Sequence, residues 1–295
     1  MKILVKEKIT KNKVAYLFLA PAIVILIIVL IYPAIQAFVY SFSEWDGIGL
    51  KKFIAFDNYK DLIKDKFFWL SLKNSIVYSI LSVGGTAILG FFLAVAIERR
   101  VKGWAFFKVT WFIPVMMSQT IVATLWTRIL DPVYGPLNII LRTLGLEILT
   151  KEWLADPKVS IYAAVIVSIW QYTGISMLLL LTAMEGISLE VHDAATLDGV
   201  NLWQRIKFII FPLIKPVLGV VILLNTIFSL KVFDTIWVLT QGGPGYSSSV
   251  LAVYLYRVAF RFQSFGYSST IAVLMFIIIF AVSLIYLRFV KMEAK

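Results

Sequence analysis

The chain has 295 residues, of which 60% are apolar and only 15% are charged. Soluble domains run at about 45–50% apolar and about 25% charged, so this excess cannot hide in one soluble core and lipid must cover part of it. With no cysteine and one histidine, disulfides and thiolate metal centres are excluded, and no metal site is expected.

The formal net charge is +11, but Lys and Arg are scattered between apolar runs and form no stripe or arm. They read as anchors to anionic membrane lipid, with no nucleic acid as partner. About 20 apolar residues cross a bilayer, and six candidate spans follow in order. The first, Val14 to Phe42, carries no charge and contains Pro21 and Pro33. Lys2, Lys6, Lys8, Lys11 and Lys13 precede it like the start of a signal peptide, but the apolar run is about twice the usual length, so a retained helix is expected.

The second span is Ser75 to Ile97, and the third is Val109 to Thr127 with Pro114 near its start. The fourth is Val159 to Met184, the fifth Pro216 to Thr240, and the sixth Phe262 to Leu287. These predict an all-α membrane protein with a single transmembrane domain over residues 1–295 and no internal repeat. Six spans place both termini on one side. The basic residues at the two ends, with Arg99, Arg100, Lys102 and Lys108, put that side in the cytoplasm. The inside excess is modest, because Lys51, Lys52, Lys60, Lys64 and Lys66 fall in an outer loop. Further turn-rich outer loops run from Asp131 to Lys158 and through Gln241-Gly242-Gly243-Pro244-Gly245.

Residues 185–215 do not fit a simple bundle. Ile187, Val191, Ala194 and Ala195 share one helical face, Ser188 suits an N-cap, and Glu190 suits the dipole of a first turn. Gly199 then breaks the helix. Leu202, Ile206, Ile209 and Ile210 predict a second amphipathic helix at the membrane surface, with Pro212 and Pro216 turning the chain back into the bilayer. On physical grounds alone the segment is either an interfacial anchor or a docking surface whose small alanines admit a partner's backbone.

This stretch resembles the signature loop of binding-protein-dependent ABC importer permeases: E-A-A, three residues, Gly, nine residues, then I-x-L-P. Here Asp193-Ala194-Ala195, Gly199 and Ile209-x-Phe211-Pro212 stand at that spacing, with Asp193 for Glu and Phe211 for Leu. The resemblance implies a coupling helix that docks on a cytoplasmic ATPase, through Asp193, Ala194, Ala195, Asp198, Gly199, Ile209 and Pro212. A second stretch, LKVFDTIWVLTQGGPGYSS from Leu230 to Ser248, is similar to the carbohydrate-uptake group, in its maltose-, lactose- and glycerol-phosphate-type subunit. That implies a sugar substrate, two ATPase subunits, a second homologous permease forming a heterodimer, and an extracytoplasmic solute-binding protein. It also implies a bacterial or archaeal cytoplasmic membrane.

Within the fifth span, Lys231 and Asp234 lie three residues apart and are expected to share a helical face. They are either a structural ion pair or part of a substrate path that includes Asn225, Phe228, Phe233 and Trp237, since sugars combine hydroxyls with C–H faces that pack on rings. His192 reads as a solvated loop histidine, and Glu185, Glu190 and Asp198 as solvated or docking charges. The chain holds no phosphate-binding G-x-x-x-x-G-K-[ST] loop. No cofactor is therefore expected on it, and ATP-Mg belongs to partner subunits. A secondary transporter would need matched broken helices in two halves, and a membrane enzyme a clustered catalytic set. The sequence offers neither.

Overall fold

The computed structural model describes residues 17–99 and 102–293. The N-terminal lysines, with Arg100 and Lys295, lie outside them, and the side chain of Lys291 is likewise not described. The Cα positions divide into two units: residues up to Lys64 with Leu255–Leu274, and Asp65–Tyr254 with the residues from Met275 on.

In the first unit, helix α1 (Leu17–Tyr40) passes through a π-turn at Ile27–Ile31. None of its residues is buried within the chain, as suits an uncharged, largely apolar helix whose partners are lipid or another subunit. A short hairpin follows, β1 (Ser43–Glu44) with β2 (Lys52–Phe53), pairing Ser43 with Phe53 and Glu44 with Lys52. Helix α2 (Asp57–Lys64) locks onto it: buried Asn58 donates to the carbonyls of Ser41 and Ser43, both at 3.0 Å.

The second unit is built on α3 (Lys66–Glu98), whose N-cap Asp65 accepts from Phe67 N–H at 2.8 Å. Its buried face carries hydroxyls at Ser71, Ser75, Ser79, Ser82 and Thr86. Several bond back to the preceding turn, as Thr86 does to the Ser82 carbonyl at 2.8 Å, which satisfies them away from water. Small residues on that face let α3 pack closely along α7 (Ser160–Glu185). A Cβ on Gly90 would stand 2.8 Å from the Ser176 Cβ, so only glycine admits this approach.

Two predicted spans are interrupted. The third consists of α4 (Trp104–Met116) and α5 (Gln119–Ile129), bent 104° from each other. Pro114 has no N–H to continue the ladder, Met117 is extended, and Ser118 caps α5 by accepting from Ile121 N–H. The fifth also breaks. Helix α9 (Leu202–Leu230) ends at Leu230, and α10 (Asp234–Thr240) starts after a gap of three residues. Among the described residues, five helices are long and apolar enough to span a membrane, or six if the bent pair is one span.

The remaining elements are the outer helix α6 (Pro136–Thr143), the loop helix α8 (Leu189–Leu197), α11 (Leu251–Tyr256) and α12 (Phe265–Glu293). Two apolar clusters fill the second unit, one around Tyr78, Val167 and Ile236, the other around Ala94, Leu181 and Ile214.

Candidate functional site

Two regions carry the residues singled out in the sequence. The first is a cleft of about 250 Å³ in the second unit. Helix α3 contributes Tyr78, Ser82 and Thr86, α7 contributes Ser168 and Tyr172, and α9 contributes Asn225, Phe228 and Ser229. Its remaining wall is the broken backbone: Gln119, the first residue of α5, and Lys231 to Asp234 between α9 and α10. Non-helical backbone at membrane depth is tolerated where it is covered by protein or lines a wet cavity. The interruption at Lys231–Asp234 meets that condition.

Five of the six sequence-expected path residues, Asn225, Phe228, Lys231, Phe233 and Asp234, line this cleft. Trp237 does not line it and instead stacks on Phe233, ring centroids 5.6 Å apart. The expectation that Lys231 and Asp234 share a helical face is corrected: the chain is not helical between them. Lys231 is the C-cap of α9, and Asp234 opens α10. Among the described residues no ion pair joins them. Each charge instead complements a helix end, the cation at a C-terminus and the anion at an N-terminus.

Most of the polar lining lies outside that expectation. Gln119 donates to the Tyr172 hydroxyl, Asn225 donates to Ser176 Oγ at 2.9 Å, and Ser79 and Ser229 share a 2.6 Å bond. The available signal was the hydroxyl-bearing stripe on α3, at steps of three and four residues through an otherwise apolar span.

The second region is the loop between α7 and α9. Helix α8 forms as read, and Gly199 follows it at φ +67°. Ser188 has the extended N-cap backbone, but its side chain makes no capping bond. Asp193, Ala194 and Asp198 are exposed and Leu197 is 89% exposed, whereas Ala195 is turned into its own chain at 6%. His192 is half-buried, and its Nδ1 has no hydrogen-bond partner among the described residues.

The second amphipathic helix is not a separate interfacial element. From Leu202 the chain runs into α9 through a π-turn at Ile206–Ile210, where Phe211 N–H reaches back to the Ile206 carbonyl. That widened turn directly precedes Pro212, which cannot donate to a regular ladder. Asn201 and Gln204 cap the start reciprocally, and Arg205 pairs with Glu98 on α3 at 2.8 Å. Among the described residues no group of three or more His, Asp or Glu could hold a metal.

The family described as "binding-protein-dependent transport system inner membrane component" matches residues 86–292. A protein named as a probable ABC transporter permease of Pyrococcus horikoshii is 37% identical over 92% of this chain and 93% of its own length. The trehalose/maltose transport system permease MalF of Thermococcus litoralis is 31% identical over 96% of this chain and 95% of its own. In fold, the chain is similar to the crystal structure of a bacterial ABC transporter involved in import of the acidic polysaccharide alginate, at TM-score 0.86, 22% identity and 99% coverage of both chains. With these matches extending from α3 through α12, the chain belongs to the binding-protein-dependent transport system inner membrane component family and is a multi-pass permease subunit of an ABC transporter.

Proposed function

We propose that this chain carries a sugar or oligosaccharide across the cytoplasmic membrane through the α3–α7–α9 cleft, acting over residues 1–295 as one permease domain. The carrying observation is the lining itself. Hydroxyl and amide groups stand beside the exposed ring of Phe228 in the wall of the cleft, the mixture a sugar needs. The relatives support the same class, among them the multiple sugar-binding transport system permease MsmF of Streptococcus mutans, 28% identical over 97% of this chain.

The chain performs no chemistry. Two ATPase subunits hydrolyse ATP-Mg and engage the α8 loop through Asp193, Ala194, Asp198 and Gly199, while Ala195 supports that surface from inside. Ile209 lies in the widened turn near the start of α9, and Pro212 follows that turn. A second, related permease completes the pathway as a heterodimer, consistent with the uncovered length of α1. A solute-binding protein delivers cargo from outside; a second similar solved structure is an alginate transporter in complex with its oligosaccharide-bound periplasmic protein. Both termini face the cytoplasm.

The test is reconstitution of the chain in liposomes with the second permease, the ATPases and the binding protein. Sugar uptake should require all of them together with ATP-Mg. Uptake by this chain without ATPases, or ATP-driven uptake of no sugar from a broad panel, would overturn the reading.

A further inference from the structure

We infer that Asn74 is a positioning residue for the cleft, holding the outer end of α10 and through it the placement of Asp234; this rests on the cleft being the cargo path. Asn74 lies on α3 and is 7% exposed. Its amide nitrogen donates toward three carbonyls, Tyr246 at 3.1 Å and Ser247 and Ser249 at 3.0 Å each. Three acceptors around one atom require the NH2 group there, since the side-chain oxygen would be repelled.

Neighbouring hydroxyls extend the clamp. Ser71 donates to Ser249 Oγ at 3.1 Å, and Ser75 Oγ accepts from Leu251 N–H at 2.9 Å. Ser71, Ser75, Ser248 and Ser249 have no exposed surface, so these bonds are protected from water and the segment 241–250 is fixed to α3.

From there the hold passes to α10. Thr240, its last residue, shares a 2.7 Å bond with Ser248 Oγ and accepts from Gly242 N–H at 3.1 Å. Ser248 also bonds the Gly243 carbonyl at 2.7 Å. Helix α10 has only seven residues and follows an unwound break, so it cannot hold itself in place. Buried Ile236 and Leu239 fix which face it turns inward, and the clamp fixes it along its axis. Its other end is Asp234, about 10 Å away at the rise of an α-helix.

The experiment uses the full chain in membrane vesicles with one introduced cysteine, Thr235→Cys, on α10 beside Asp234 and 1% exposed, since the native chain has none. Adding Asn74→Ala should raise maleimide labelling at position 235 by about threefold, the scale expected from losing one net hydrogen bond. A control cysteine at Tyr134, 83% exposed in an outer loop, should not change. Asn74→Asp supplies the pH test. Its carboxylate would face three carbonyls, which raises its pKa, so the labelling excess over the Asn74 parent at the same pH should be large at high pH and shrink on acidification as one donor returns.

Unchanged labelling at position 235 overturns the inference, as does an equal rise at position 134 or a flat pH profile for Asn74→Asp. The readout needs no cargo. Its failure would leave the sugar-import reading standing, and an importer that moved no sugar would still report on Asn74.

Discussion

Lys231 and Asp234 show how a break in the backbone changes the meaning of a spacing. At i, i+3 on an intact helix they would pair; across the gap between α9 and α10 they act separately. Replacing either alone, as Lys231→Met or Asp234→Asn, should cut uptake by about tenfold, since one lost charged contact is worth about 1.4 kcal/mol. Replacing both should not restore it, whereas a mutual ion pair would be rescued by the double change. Uptake and membrane abundance measured on the same cells decide the matter. Gly199 is the other decisive residue. It sits at φ +67°, and a Cβ there would meet nothing within 4 Å. Gly199→Ala therefore costs this chain only backbone strain, about 1–2 kcal/mol. Abundance should fall little while uptake and cargo-stimulated ATP hydrolysis fall together. Equal losses of abundance and uptake would make the glycine a purely structural turn residue. Ala194→Arg is the matching surface probe, because Ala194 is exposed and Ala195 is not.

At the scale of elements, the unbroken helices were legible because period and length suffice for them: the fourth span, read as Val159 to Met184, is the helix Ser160–Glu185. The loop helix and its glycine turn were legible too, since capping residues and glycine act locally. The two interruptions were not. An apolar run reads the same whether or not the helix within it is broken, and Pro114 or Lys231 alone does not set where the chain unwinds. The cleft was half legible for the same reason: α9 residues clustered in sequence were found, while Tyr78, Gln119 and Tyr172 reach it only through packing. Outside the membrane, local side-chain bonds fix the loops. Asp131 accepts from the N–H groups of Val133 at 2.9 Å and Tyr134 at 2.8 Å, with Tyr134 the stronger influence, and its carboxyl is held below the usual range. A lowered pKa gives stabilisation that is present above the ordinary carboxylate value and lost as pH falls through the lowered one. Amide exchange at Val133 and Tyr134, corrected for its intrinsic pH dependence, should be steady near neutrality and accelerate below about pH 4. Asp131→Ala should abolish that dependence, and an unchanged profile would show that the turn holds without its carboxylate.

At the scale of the whole molecule, the bent pair α4–α5 decides the topology. If it crosses the bilayer, the described residues hold six spans and their two ends share a side; if it re-enters, they hold five and the ends do not. The chain begins with Lys2, Lys6, Lys8, Lys11 and Lys13 and ends with Arg288, Lys291 and Lys295, and flanking basic residues favour the cytoplasmic side. If the basic residues flanking α1 and α12 lie on one side of the membrane, the crossings between them are even in number and the pair should cross. Two positions flanking α7 report on this. Tyr134 is 83% exposed before that helix and Leu197 is 89% exposed after it, and at 26 residues the helix spans about 39 Å. In intact cells, Tyr134→Cys should react with an impermeant maleimide, while Leu197→Cys should react only after the membrane is opened. The reverse pattern would mean that α4–α5 re-enters, that the α8 loop faces outward, and that no cytoplasmic ATPase could dock on it. A third cysteine at Ile48, 93% exposed between α1 and α3, sits before the bent pair and should label from outside in either case. Its failure to label would place the error in α1, leaving the crossing of the bent pair to be judged from the other two positions.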